Sequence, residues 1–148
     1  MAPIAWHGPR LLRNGALIAP NIATGGLAEG AQVFVSLAAG ARPTQNAELC
    51  APATFHPMPS IAYRLARVAA GDGIAAVSLY AVSTHDVVAG HALLRAGGGG
   101  LWNERGQALG YATAVTFNQP VGYCFGGGEI ACQELMKRPW QIVLAGGA

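Results

Sequence analysis

Ser60-Ile-Ala-Tyr-Arg-Leu-Ala-Arg-Val-Ala-Ala-Gly71, then Ile74-Ala-Ala-Val-Ser-Leu-Tyr80, then Thr84-His-Asp-Val-Val-Ala-Gly90 is the stretch that decides the fold. Ile61, Leu65, Val68 and Ala69 recur at helical spacing, which gives one apolar helix face. Ser60 stands where an N-cap hydroxyl belongs, Gly71 stops the run, and Arg64 and Arg67 are expected on the solvent side. Residues 74–80 are continuously apolar, as a strand buried on both faces must be. A second helix opens at Thr84-His85-Asp86, runs over residues 87–96 and ends in Gly97-Gly-Gly-Gly100. Helix, strand and helix in alternation predict an α/β class with layered packing.

Working outward, residues 31–37 are apolar and β-branched and read as a strand. Residues 40–57 carry Gly40, Pro43, Asn46, Pro52 and Pro57 and read as a loop with little internal structure. Residues 1–30 read as an irregular lead-in with a short strand at 16–19. Downstream, residues 100–103 and 108–112 flank the turn residues 104–107 as a hairpin. A strand near residues 121–124, glycines 126–128 and an amphipathic helix over 129–137 complete the pattern. The expectation is one domain over residues 1–148, with an α/β core at 31–140.

Of the 148 residues 52% are hydrophobic and 11% charged, so core material is ample and surface charge is scarce. A small domain has much surface to cover. The deficit therefore implies a face meant for another chain or for the other side of a larger fold. Net charge is +2 and the basic residues are scattered, without interleaved aromatics, which excludes a nucleic-acid footprint. Cys50, Cys124 and Cys132 form neither a CxxC nor an even framework, and read as reduced, semi-buried thiols of a cytoplasmic protein. Trp6, His7 and Pro9 occupy the place of an apolar signal core, and no run is suited to span a membrane.

The two aspartates differ in setting. Asp72 lies between Gly71 and Gly73, a turn position. Asp86 lies in the first turn of a helix that follows a buried strand. There the helix dipole holds a carboxylate anionic, and it serves either as a helix-start residue or as a hard oxygen ligand for Mg²⁺. His85 and His91 are six apart, point in opposed directions on one helix and make no zinc pair. No GxSxG is present, and neither glycine cluster fits a phosphate loop.

Taken together, Pro59-Ser-Ile-Ala-Tyr-Arg-Leu-Ala-Arg-Val-Ala-Ala-Gly-Asp-Gly73, His85-Asp-Val-Val-Ala-Gly90, Leu93-Leu-Arg-Ala-Gly-Gly98 and Asn103-Glu-Arg-Gly106 resemble the C-terminal half of the inositol monophosphatase family. The resemblance covers residues 58–112 well and the tail to Trp140 more loosely. It implies the C-terminal part of the layered α-β-α-β-α sandwich of inositol monophosphatase and fructose bisphosphatase. It also implies a Mg²⁺-dependent phosphate monoester hydrolase acting on an inositol phosphate or a 3′(2′),5′-bisphosphate nucleotide. By position, Asp86 matches the motif aspartate that ligates Mg²⁺. Ser60 matches the helix-start Ser/Thr that helps hold the substrate, and His85 replaces the usual Trp at the substrate site. Ser78 falls about where inositol-specific members carry a substrate-contacting Glu. The family's upstream Glu and its Asp-Pro-x-Asp-Gly-Thr motif have no counterpart, so no catalytic residue is assigned. The expectation is a truncated or split half, inactive alone, whose partners are a small phosphorylated metabolite and a second copy or a separate N-terminal half. The alternative is a non-catalytic binding module that keeps the fold.

Overall fold

A computed structural model describes residues 4–7, 10–110 and 122–145. The chain opens with β1 (Ile4–His7), β2 (Arg10–Arg13) and β3 (Ala16–Ile18), an antiparallel three-stranded sheet in that order. The irregular lead-in expected over residues 1–30 thus carries a three-stranded sheet within residues 4–18, whose third strand falls on the short strand expected at 16–19, while residues 19–30 are irregular. The signal of the sheet is Asn14-Gly15, both at positive φ (54° and 77°), which turns β2 into β3 as an Asn-Gly pair does in a tight hairpin.

The main sheet contains β4 (Gln32–Val35), β5 (Thr54–Pro57), β6 (Ala75–Ser78), β7 (Gly100–Asn103) and β8 (Cys124–Gly127), in the order β5-β4-β6-β8-β7. The first three are mutually parallel and β8 runs antiparallel to both β6 and β7. Every residue of β6 and β8 is buried, as the continuous apolar run of residues 74–80 requires. The glycines at 126 and 127 belong to β8 rather than to a turn, and the strand begins at Cys124 instead of ending there.

Residues 40–57 are not a loop. They hold a short 3₁₀ turn at Leu37–Ala41, α1 (Pro43–Cys50) and the edge strand β5. Pro43 sits in the first turn of α1, where a missing N–H costs nothing, and Leu49 and Cys50 anchor the helix in the core. Pro57 is tolerated because β5 is an edge strand. The prolines that suggested a loop are therefore boundary residues of regular elements.

α2 (Ile61–Ala69) and α3 (Thr84–Ala96) cover one face of the sheet. Ile61, Leu65, Val68, Val87 and Leu94 meet Phe34, Ala76, Cys124 and Leu101 there. α1, α4 (Glu129–Met136) and α5 (Gln141–Ala145) lie on the other side, where Leu49, Cys50, Ala131, Cys132, Leu135 and Trp140 meet Val33, Val35, Ala75, Val77 and Phe125. Leu65 is the wedge of the first layer. A Cβ on Gly90 of α3 would come within 2.6 Å of it, and one on Gly126 of β8 within 2.3 Å. Glycine at both positions lets helix, helix and sheet close on a single leucine.

The hairpin expected after residue 100 forms: Trp102 bridges Ala108, and the Leu109 amide donates to the Leu101 carbonyl. Residues 111–112 and Val121, also expected to be extended, lie outside the described residues. All three cysteines are free and buried outright rather than semi-buried. No helix among the described residues is long and apolar enough to cross a membrane.

Candidate functional site

β4 is followed by α1 on one face of the sheet, whereas β6, its parallel neighbour, is followed by α3 on the other. The carboxyl ends of β4 and β6 therefore flank a topological switch point, the position where open α/β sheets place their ligands. α2 and α3 follow the parallel strands β5 and β6, so both begin at this same edge. The topology brings Ser60 and the segment 83–86 to one end of the packed helix pair.

Ser60 is exposed, holds a left-handed φ of 53° and caps α2 by accepting a long 3.4 Å hydrogen bond from the Tyr63 amide. Arg64, one turn on, is 4% exposed, against the expectation of a solvent-facing arginine. Its Nη1 donates to the Met58 carbonyl at 2.9 Å, while its Nε is sealed from solvent with no hydrogen-bond partner. Burial lowers its pKa. Arg67 is half-buried rather than solvated. It donates to Asp72, which also accepts from Arg13 Nη1 at 2.9 Å, and to the Tyr63 hydroxyl at 2.8 Å. Asp72 thus ties the N-terminal hairpin to the end of α2. Burial raises its pKa, but the two arginines outweigh that and hold it below the ordinary value.

Asp86 is exposed at the third position of α3. Its Oδ2 accepts from the Ser83 amide and from the Ser83 hydroxyl, both at 2.9 Å, closing a reciprocal cap. These bonds lower its pKa, the backbone one first, and His85 contributes more weakly. His85 is exposed beside it, whereas His91 is buried, and its pKa is lowered by that burial. Ser78 is 3% exposed and donates to the Tyr80 carbonyl at 3.3 Å, so its hydroxyl is committed to the chain.

The donor set at this edge fits only a fraction of a Mg²⁺ site. Asp86 offers one carboxylate, and no group of three His, Cys, Asp or Glu among the described residues could hold a metal ion. Mg²⁺ takes six oxygen ligands in a strict octahedron, and this edge does not supply them. The cavity at the switch point, lined by Val35, Ser36, Val77, Leu79, Tyr80 and Trp140, has a volume of about 40 Å³. Metabolite pockets run to roughly 300–1,000 Å³. This edge is a floor for a ligand and does not enclose one.

No protein-family model and no curated protein matches the chain. Solved structures do. Inositol monophosphatase-II from Staphylococcus aureus MSSA476 superposes with a TM-score of 0.70 at 17% identity, over 95% of this chain and 51% of that one. The same enzyme bound to 2′-AMP gives 0.69 at 16% identity, over 95% and 52%. Inositol monophosphatase from Anabaena (Nostoc) sp. PCC 7120 gives 0.64 at 24% identity, over 89% and 54%. The chain spans about half the length of these structures, and over that half it has the α/β fold of the inositol monophosphatases.

Proposed function

We propose that the chain forms the C-terminal, substrate-facing half of a Mg²⁺-dependent phosphate monoester hydrolase of the inositol monophosphatase type, and that it does not hydrolyse phosphate esters alone. The observation that carries the reading is the shared edge of α2 and α3. Ser60 and His85 stand there, beside an anionic Asp86, on a fold otherwise found in inositol monophosphatases. Ser60 and His85 would contact a phosphorylated metabolite, and Asp86 would contribute one carboxylate to Mg²⁺. The remaining ligands would come from a complementary polypeptide or a second copy.

The test is phosphate release from an inositol phosphate and from an adenosine bisphosphate, with Mg²⁺ and the 148-residue chain. The expected rate equals that of a buffer blank. A Mg²⁺-dependent rate that disappears in Asp86→Asn would show the chain to be a complete enzyme. A second reading, a binding module without chemistry, is favoured by the cap that occupies Asp86 Oδ2.

A further inference from the structure

Across the sheet from α2 and α3, a groove of about 400 Å³ runs between β7 and α4. Small-molecule pockets run to roughly 300–1,000 Å³, so this groove is large enough for a metabolite, as the switch-point cavity is not. Its floor is Trp102. A Cβ on Gly100, two residues earlier on the same face of β7, would stand 3.0 Å from the six-membered ring, so glycine makes the place for the indole. Part of the side chain packs on the core beside Phe125, and the rest lines the groove. One wall is a helical stripe, Glu129, Gln133 and Met136 of α4 with Lys137 at the C-cap. The facing wall is the turn after β7. Asn103 fixes it, its Oδ1 accepting from the Arg105 amide at 2.9 Å and from the Gln107 amide at 3.0 Å. Both β6 and β7 pair antiparallel with β8, so the turn lies at the end of the sheet where β8 begins. α4 follows β8 and returns toward that end. Lys137 and Arg105 therefore stand at one end of the groove, two exposed cations from opposite walls, and Glu129 stands at the other, bonded to Gln133 Nε2 at 3.1 Å. Glu104 also borders the groove, with its carboxylate lying over Gly122.

We propose that this groove binds a small planar aromatic anion: a ring stacked on Trp102, its N–H groups toward Glu129 and Gln133, and a phosphate or carboxylate arm between Arg105 and Lys137. The order of groups along the groove carries the assignment. An open aromatic face takes a flat ring, carboxylate and amide oxygens accept from ring N–H groups, and a pair of cations from two walls takes the anionic arm. Stacking supplies most of the affinity, because the two cations are exposed and act chiefly on orientation. The groove is separated by the sheet from Ser60, His85 and Asp86, so binding here is independent of any hydrolysis at the α2–α3 edge.

The experiment titrates AMP, with a phosphate arm, and indole-3-acetate, with a carboxylate, into the ¹⁵N-labelled full chain in EDTA. Adenosine and ribose 5-phosphate supply the ring alone and the arm alone. Saturable shifts are expected at the Trp102 indole N–H and the Gln133 side-chain amide with at least one of the two anions, and the tighter one identifies the arm. The double variant Arg105→Gln/Lys137→Gln, changed only at exposed positions, should bind it about fivefold or more weakly. A Trp102 indole signal unmoved by both anions would overturn the site. Adenosine bound as tightly as AMP would overturn the cation pair, and ribose 5-phosphate bound as tightly would overturn the stacking platform. Shifts confined to residues 83–86 would place the ligand at the α2–α3 edge instead. Phosphate release plays no part in these readouts, so failure of the phosphatase reading leaves them standing.

Discussion

Leu65→Ala probes the joint between α2, α3 and the sheet. Leu65 is fully buried; the removed Cδ2 fills the space left by the missing Cβ of Gly126, and the removed Cδ1 and Cγ, together with the Cβ that alanine keeps, fill that of Gly90. Deleting a buried leucine costs about 2–5 kcal/mol, most where the surroundings cannot collapse. Here two walls of the vacated space are backbone, held by the pairing of β8 and by the α3 helix, so a loss in the upper half of that range is expected. Gly126→Ala attacks the same contact from the other side. Its Cβ would meet Leu65 at 2.3 Å, Leu94 at 3.0 Å and Leu101 at 3.1 Å, all three buried. An alanine in a strand would otherwise gain about 0.5–1 kcal/mol over glycine, so a net loss of about 1–3 kcal/mol measures the overpacking. Urea denaturation of wild type, both single variants and the double variant closes the cycle. The double variant should be more stable than the sum of the single losses predicts, by about 0.5–3 kcal/mol, because the new methyl enters the vacated volume. Additive losses, or a Gly126→Ala variant as stable as wild type, would refute the wedge.

The Asp72 carboxyl is held below its ordinary value of 3.8 by Arg13 and Arg67, so its stabilisation is present above that pH and fades as pH falls through the lower folded value. Acid unfolding followed by circular dichroism should occur at lower pH in wild type than in Asp72→Asn once the curves are normalised, and coincident curves would contradict the bridge. Burial raises the Cys50 and Cys124 thiols to about 12 and pushes Cys132 up as well. A thiol reagent at pH 8 should therefore label none of them until the chain is unfolded, and rapid labelling of the native chain would contradict their burial. Mg²⁺ should bind at millimolar concentration or more weakly by calorimetry, and micromolar affinity would mean ligands beyond Asp86. Exposed Leu17, Leu37, Tyr80, Ile130 and Ile142 on a chain with few charges should drive association, read by light scattering; a monodisperse monomer would count against it.

The parts of the fold legible in the sequence are those where one force dominates. The Ile61–Ala69 stripe and the apolar run of β6 are set by burial alone, and both appear within a residue or two of their expected ends. What escaped was decided by tertiary context. α1 carries little apolar periodicity because only Asn46, Leu49 and Cys50 are buried, so the prolines around it dominate the local signal. The glycines of β8 signal turns in isolation, whereas here they answer to Leu65 and to the backbone of β6. An arginine flanking an apolar stripe usually faces solvent, and Arg64 does not. Nothing in the local pattern announces that Met58 will fold back to receive it. The hairpin at Asn14-Gly15 lies in the expected irregular lead-in, although the dipeptide by itself signals a tight turn.

Asp86 shows why the choice of substitution matters at such a site. A carboxylate at the third position of a helix is explained by capping alone, since Ser83 and Asp86 satisfy each other and the helix dipole favours the charge. Loss of stability on Asp86→Ala would therefore say nothing about metal. Asn keeps an acceptor for Ser83 and removes the charge, which separates the two roles. A cap needs an oxygen at this place, whereas a Mg²⁺ ligand needs the anion. If Asp86 only caps, Asp86→Asn retains most of the stability and binds Mg²⁺ no more weakly than wild type. If it is a ligand, the same variant stays folded and loses what Mg²⁺ affinity there is. Asp86 is thus, in its observed bonds, a helix cap, and Asp86→Asn is the substitution that separates this role from that of a ligand.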